Sequence, residues 1–150
     1  MKLWLARHAQ PLIAPGICYG ATDIAAEPQA TREAAHALAQ RLPPGLPVVS
    51  SSLQRCEQLS QFLRGLRPDL IYTTEARLVE LDFGCWEGQR WDGIAQVAYN
   101  GWTADFGHHR FGGRKVCANS TPPRGGPGRR PGFGQCCVLD LAAPADGSSV

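Results

Sequence analysis

Three short apolar runs, separated by two stretches of helical periodicity, leave this chain few ways to fold. Leu3-Trp4-Leu5-Ala6, Val48-Val49 and Leu70-Ile71-Tyr72-Thr73 each have the length and composition of a buried strand. Between the first two, Ala34, Ala35, Leu38 and Leu42 fall on one face of a helix expected over 31–42, which Pro43-Pro44-Gly45 stops. Between the second and third, Cys56, Leu59, Phe62, Leu63 and Leu66 recur at spacings of three and four, with Ser50, Ser51 and Ser52 as N-cap candidates. A less regular helix is expected over 91–102. Strand, helix, strand, helix, strand predicts an α/β sheet covered by helices on its faces. In such sheets ligands sit beyond the carboxyl ends of the strands. Arg7-His8 and the segment from Ser50 to Arg55 both lie at such ends, and Pro11 to Asp23, with its Pro-Gly and Tyr-Gly breaks, is expected to be an irregular loop.

The pattern stops at residue 113. Among the first 113 residues ten Lys/Arg stand against eleven Asp/Glu, whereas the remaining stretch holds five against two and is crowded with Gly, Pro and Arg. Gly125-Gly126-Pro127-Gly128-Arg129-Arg130-Pro131-Gly132 holds neither a helix nor a strand, and only Cys136-Cys137-Val138-Leu139-Asp140-Leu141 has the makings of one short strand. A partial domain over 1–113 and an aberrant or disordered tail over 114–150 are therefore expected. The net charge of +2 is too small to argue for nucleic acid, and there is no basic face with interleaved aromatics. No apolar run has the length of a membrane helix, so no membrane partner is expected. The first charge comes too early for a signal peptide. The six cysteines show no Cys-x-x-Cys spacing, and reduced thiols in a cytoplasmic protein are expected. Nothing in the sequence specifies an oligomeric state.

Three places carry chemistry. At Arg7-His8 a guanidinium that forks onto phosphate oxygens stands beside an imidazole able to attack phosphorus. The pair alone is weak, because most histidines are hydrogen-bonded structural residues. Arg55 falls in the first turn of the second helix, where free N–H groups and the helix dipole favour an anion. A cation placed against that dipole points to an anionic partner, although many such arginines merely reach into water. Glu80 lies in Leu78-Val79-Glu80-Leu81-Asp82-Phe83-Gly84-Cys85-Trp86-Glu87-Gly88. A carboxyl among apolar neighbours holds its proton longer and so can protonate a departing alkoxide. Asp82 and Glu87 share the segment, and spacing does not choose among the three.

Taken in order, Arg7-His8-Ala9-Gln10, then Ser51-Ser52-Leu53-Gln54-Arg55-Cys56, then the segment from Leu78 to Gly88 resemble the histidine phosphatase (phosphoglycerate mutase-like) superfamily. The resemblance covers residues 1–113. The loop Pro15-Gly16-Ile17-Cys18-Tyr19-Gly20-Ala21-Thr22-Asp23 and the stretch from Phe83 to Asp92 are most similar to the α-ribazole phosphatases of cobalamin biosynthesis. This resemblance implies a three-layer α/β sheet with helices on both faces, incomplete at its C-terminus. It implies that His8 forms a phosphohistidine, that Arg7 and Arg55 hold the phosphate, and that Glu80 is the general acid. It places Gln10, Tyr19, Gly20 and Thr22 along the substrate loop. The implied partner is a small phosphorylated substrate, α-ribazole 5′-phosphate, with no cofactor and no metal. A broad-specificity phosphatase of the same fold and a catalytically dead phosphate-binding fragment are the alternatives. Ala9 stands where the family usually has Gly.

The family's second catalytic histidine, in a His-Gly pair after a late apolar strand, has no counterpart here. His36 falls mid-helix, and His108-His109 precede Gly112-Gly113 in a loop rather than following a strand. After Gly113 the family's Glu-Ser and amphipathic helix give way to Arg114-Lys115-Val116-Cys117, as a frameshifted gene end would read. Weak or absent activity and poor solubility are the expectation for such a chain.

Overall fold

A computed structural model describes residues 3–106 together with His108, His109 and Phe111. The expectations for 114–150, including the short strand at Cys136 to Leu141, lie outside the described residues. Two compact units are present. The first gathers 3–12 and 23–80, the second 13–22 and 81–111.

In the first unit, helix α1 (Pro28–Ala39) starts earlier and ends earlier than the apolar spacing predicts. The reason is local. Glu27 accepts hydrogen bonds from the backbone N–H groups of Gln29 and Ala30, and Pro28 fills the first helical position, where its missing N–H costs nothing. Strand β1 (Pro47–Ser50) follows, alternately half-buried and buried. Helix α2 (Gln54–Leu66) then buries Arg55, Cys56, Leu59 and Leu63. Strand β2 (Ile71–Thr74) pairs with β1 in parallel, with Pro47 opposite Ile71 and Ser50 opposite Thr74. The α/β class is observed, with a parallel sheet of two strands among the described residues. Ala35, Leu42, Leu46, Val48, Leu59, Leu63 and Leu70 form the core between helices and sheet.

The strand expected at 3–6 does not form. Exposure does alternate there: Leu3 and Leu5 are 49% and 59% exposed while Trp4 and Ala6 pack against the core. The described ladder joins β1 to β2 only, so the segment has a strand's side-chain alternation without belonging to a strand.

One side chain ties the ends of this unit together. Arg67, just past α2, forms a two-pronged ion pair with Asp69 (Nε to Oδ1 2.7 Å, Nη2 to Oδ2 2.8 Å). The same guanidinium donates to the carbonyls of Ala39 at 2.8 Å, Leu42 at 2.7 Å and Pro43 at 3.0 Å. These are carbonyls that the C-terminus of α1 and its turn leave without helical partners. The Arg67 pair holds the Asp69 carboxyl well below the usual carboxylate range.

The second unit is built on aromatic rings. Phe83, Cys85, Trp86 and Trp102 surround Cys18, with Trp91, Ile94, Tyr99 and Phe111 packed against them. Phe83 meets Trp91 and Trp102 edge-on at 5.4 and 5.6 Å between centroids, an arrangement that adds to burial alone. The helix expected over 91–102 is instead a 3-10 turn, Trp91–Gly93, followed by α3, Gln96–Ala104. Ile94, in extended conformation, and Ala95 separate the two. No described helix is long and apolar enough to cross a membrane. Cys18 is a free, buried thiol.

Candidate active site

His8 lies within the N-terminal segment of the first unit, 3–12, and is 6% exposed. Its Nδ1 lies 2.6 Å from the carbonyl oxygen of Ala9. A carbonyl only accepts, so Nδ1 carries the proton and Nε2 carries the lone pair. Nε2 is buried and has no hydrogen-bond partner among the described residues. Burial lowers the pKa of His8 below 6.5. The Ala9 hydrogen bond opposes this, and the charges of Arg55 and then Arg7 add to the lowering. At neutral pH the ring is thus an uncharged imidazole whose unshared electron pair sits on the nitrogen away from Ala9.

Arg55 is the second residue of α2 and is 1% exposed. The serines do not cap this helix as expected. Leu53 is the N-cap residue and makes no side-chain capping bond. The serines act one step earlier: Ser51 Oγ accepts from the Leu53 backbone N–H, and Ser50 Oγ donates to the Ser51 carbonyl. The anionic group at the start of α2 comes from elsewhere in the sequence. Asp23 accepts the Gln54 backbone N–H at 2.7 Å and the Gln54 side-chain amide at 3.1 Å. Sequence reasoning places Asp23 only at the end of a loop. A carboxylate 31 residues before the helix it caps leaves no local signal.

Arg7 is exposed, one residue before the buried His8. Gln10 is exposed too, and its carbonyl accepts the Glu27 backbone N–H at 2.8 Å. Glu80 is half-buried after a 3-10 turn at Ala76–Leu78. Val79 and Leu81 on either side of it are 37% and 39% exposed, so its sequence neighbours do not supply the apolar enclosure the sequence suggested. The first unit therefore brings the charges of Arg7 and Arg55 to bear on one neutral, buried imidazole.

The second unit holds Tyr19, Gly20 and Thr22. Tyr19 is half-buried and Gly20 buried. The Gly20, Ala21 and Thr22 backbone N–H groups all point at the Glu87 carboxylate, at 3.0, 3.1 and 3.3 Å, and the Thr22 hydroxyl donates to it as well. Asp82, another carboxylate of the segment, accepts from the Gly84 backbone N–H at 2.7 Å. Of the remaining histidines, His36 is exposed in the last turn of α1 and His108 pairs with Asp105 at 2.9 Å. The His109 ring lies against Phe111 at 4.9 Å.

Residues 3–119 match the profile of the Histidine phosphatase superfamily (branch 1). Among solved structures, the native mycobacterial glucosyl-3-phosphoglycerate phosphatase aligns at 23% identity and a TM-score of 0.50, over 67% of this chain and 46% of its own. Mycobacterial hydrolase 2 aligns at 26% identity and a TM-score of 0.50, over 63% of this chain and 40% of its own. A variant of TTHB049 from Thermus thermophilus aligns at 21% identity and a TM-score of 0.57, over 79% of this chain and 73% of its own. The chain thus spans less than half the length of the two mycobacterial proteins. No curated protein matches it.

Proposed function

This chain belongs to the histidine phosphatase superfamily, and on that premise we propose that it hydrolyses phosphomonoesters through a phosphohistidine on His8. One observation carries the reading: the His8 Nδ1–H donates a hydrogen bond to the Ala9 carbonyl, which leaves a buried, unshared electron pair on Nε2. In the proposed reaction Nε2 forms a bond to phosphorus as the bond from phosphorus to the ester oxygen breaks. The ring gains positive charge, which the Ala9 carbonyl stabilises through Nδ1–H. Arg55 and Arg7 oppose the charge on the phosphoryl oxygens. They also keep the imidazole unprotonated beforehand, since each lowers its pKa. Glu80, as the acid, gives its proton to the departing oxygen. Water then attacks phosphorus, its proton returns to Glu80, and inorganic phosphate and free His8 are released.

The proposed substrate is α-ribazole 5′-phosphate, giving α-ribazole for cobalamin biosynthesis. The support is the likeness of the loop from Pro15 to Asp23 and of the stretch from Phe83 to Asp92 to that group of enzymes. Gln10, Tyr19, Gly20 and Thr22 are its proposed contacts. The mycobacterial neighbour that acts on glucosyl-3-phosphoglycerate keeps a broader phosphatase in view. A panel of α-ribazole, sugar and nucleoside phosphates separates the two.

A second reading is suggested by the departure of residues 114–150 from the family's pattern: a protein that binds phosphate and catalyses nothing. One experiment decides. The full chain is mixed with ³²P-labelled phosphomonoester, quenched in alkali and digested. Label on the peptide carrying His8, absent in His8→Ala, supports the phosphohistidine. A chain that never takes label, yet binds inorganic phosphate by calorimetry, establishes the inert reading.

A further inference from the structure

We infer that Glu87 is a positioning residue: its carboxylate holds the loop of Gly20, Ala21 and Thr22 in the shape that meets substrate, and it takes no part in proton transfer. The inference deepens the function proposed above and rests on it only for the words "meets substrate". Five donors converge on this one carboxylate. Oε2 accepts from the Gly20 N–H at 3.0 Å, from the Thr22 N–H at 3.3 Å and from the Thr22 hydroxyl. Oε1 accepts from the Ala21 N–H at 3.1 Å and the Phe83 N–H at 3.1 Å.

A carboxylate offers about four lone-pair directions, so five donors saturate it. Nothing is left on Glu87 to receive a substrate proton. Three consecutive N–H groups around one anion form a concave nest, in which main-chain dipoles bind a negative charge. In most proteins such nests take a ligand anion, whereas here the chain supplies its own. The acid role left open among Glu80, Asp82 and Glu87 therefore does not fall to Glu87.

The loop has no slack elsewhere. A Cβ added at Gly20 falls 2.0 Å from the Leu81 carbonyl oxygen and 2.8 Å from the Phe83 ring, so only glycine fits. The Ala21 N–H donates to that same Leu81 carbonyl at 3.2 Å. Two residues before Gly20, Cys18 exchanges main-chain bonds with Gln89 and Gly88, at 2.7 and 2.8 Å. Tyr19 thus stands between two tied points, with its backbone course set by Glu87 on one side and by the Cys18 bonds on the other. Replacing the carboxylate by a carboxamide of equal size leaves one accepting oxygen and turns an NH2 group against N–H donors. Volume is kept and the nest is broken.

The test uses the full chain and its Glu87→Gln variant, with amide hydrogen exchange followed by NMR. The expected result is loss of protection, about tenfold or more, at Gly20, Ala21, Thr22 and Phe83, with α2 amides unchanged. Unchanged protection at those four amides overturns the inference. Turnover of p-nitrophenyl phosphate supplies a readout that simple loosening would not give. KM is expected to rise about fivefold or more with kcat within about threefold of wild type. A kcat collapse with unchanged KM and a lost pH limb would make Glu87 an acid and overturn it. If the variant does not fold, Thr22→Val removes a single donor, and smaller losses of protection at the same amides are expected; none there also overturns the inference. A chain that turns over no phosphomonoester refutes the proposed function, while the exchange data still decide whether Glu87 holds the loop.

Discussion

His8 donates its Nδ1 proton to the carbonyl oxygen of Ala9, the next residue in the chain, at 2.6 Å. So short a reach uses no distant residue to fix the tautomer. The carbonyl next in the chain decides which nitrogen keeps its electron pair. In NMR, His8 is expected to titrate below 6.5 as an Nδ1–H tautomer, because burial and two guanidinium charges outweigh the Ala9 bond. The sign for stability follows. Between the depressed folded pKa and 6.5 the unfolded chain binds more protons, so this contribution is complete above about pH 6.5 and is lost as pH falls through the window. Any phosphorylation of His8 should keep its rate to the same lower limit. A His8 resonance midpoint at or above 6.5 contradicts this.

Arg55 acts on His8 more strongly than Arg7 does. Arg55→Met keeps most of the buried stem and removes the charge. The His8 pKa is expected to rise in this variant, and by less in Arg7→Met, both read from the imidazole proton shifts. Rate constants for phosphoryl transfer should drop by ~10²–10³ in Arg55→Met, the scale for losing one group aimed at developing charge. Equal His8 titration in wild type and Arg55→Met would remove the electrostatic argument.

Asp23 caps a helix that begins 31 residues further along the chain. Asp23→Ala is expected to cost about 0.5–2 kcal/mol, as other N-cap losses do, in urea unfolding of the full chain. Asp23→Asn keeps a side-chain oxygen for the Gln54 N–H and should recover most of that loss. Matching midpoints for all three chains would mean that α2 starts without it.

Cys18 has its pKa pushed up to about 12, by burial first and the Glu87 charge second. The thiolate is the reactive species. With iodoacetamide at about pH 8, below the ordinary thiol pKa, Cys18 is expected to stay unmodified in the folded chain and to react fully in urea, both read by peptide mass spectrometry. Rapid modification in the folded chain would show that the aromatic cluster opens.

The parts of the fold readable in sequence were those with a local cause. Leu59 and Leu63 recur at helical spacing and are buried as that spacing requires, and α2 lies where they put it. The start of α1 had an equally local signal in Glu27-Pro28, which apolar periodicity overlooks because caps are polar. Leu3 to Ala6 shows the opposite case. Its alternation is real, but a strand is a relation between two segments, and one segment cannot supply it. At the site, His8 and Arg55 are recognisable as a motif, while their burial and electrical coupling come only with folding. Glu87 and Asp23 were invisible as clamps because their donors in the loop and in α2 lie 65 to 67 residues and 31 residues away.

The guanidinium of Arg67 touches the carbonyls of Ala39, Leu42 and Pro43 and both oxygens of Asp69. Helix ends are ordinarily among the first parts of a fold to fray. Here the last turn of α1, the exit of α2 and the approach to β2 meet on one guanidinium, so loosening any one of them breaks hydrogen bonds of the same side chain that serves the other two. Three endings share one latch.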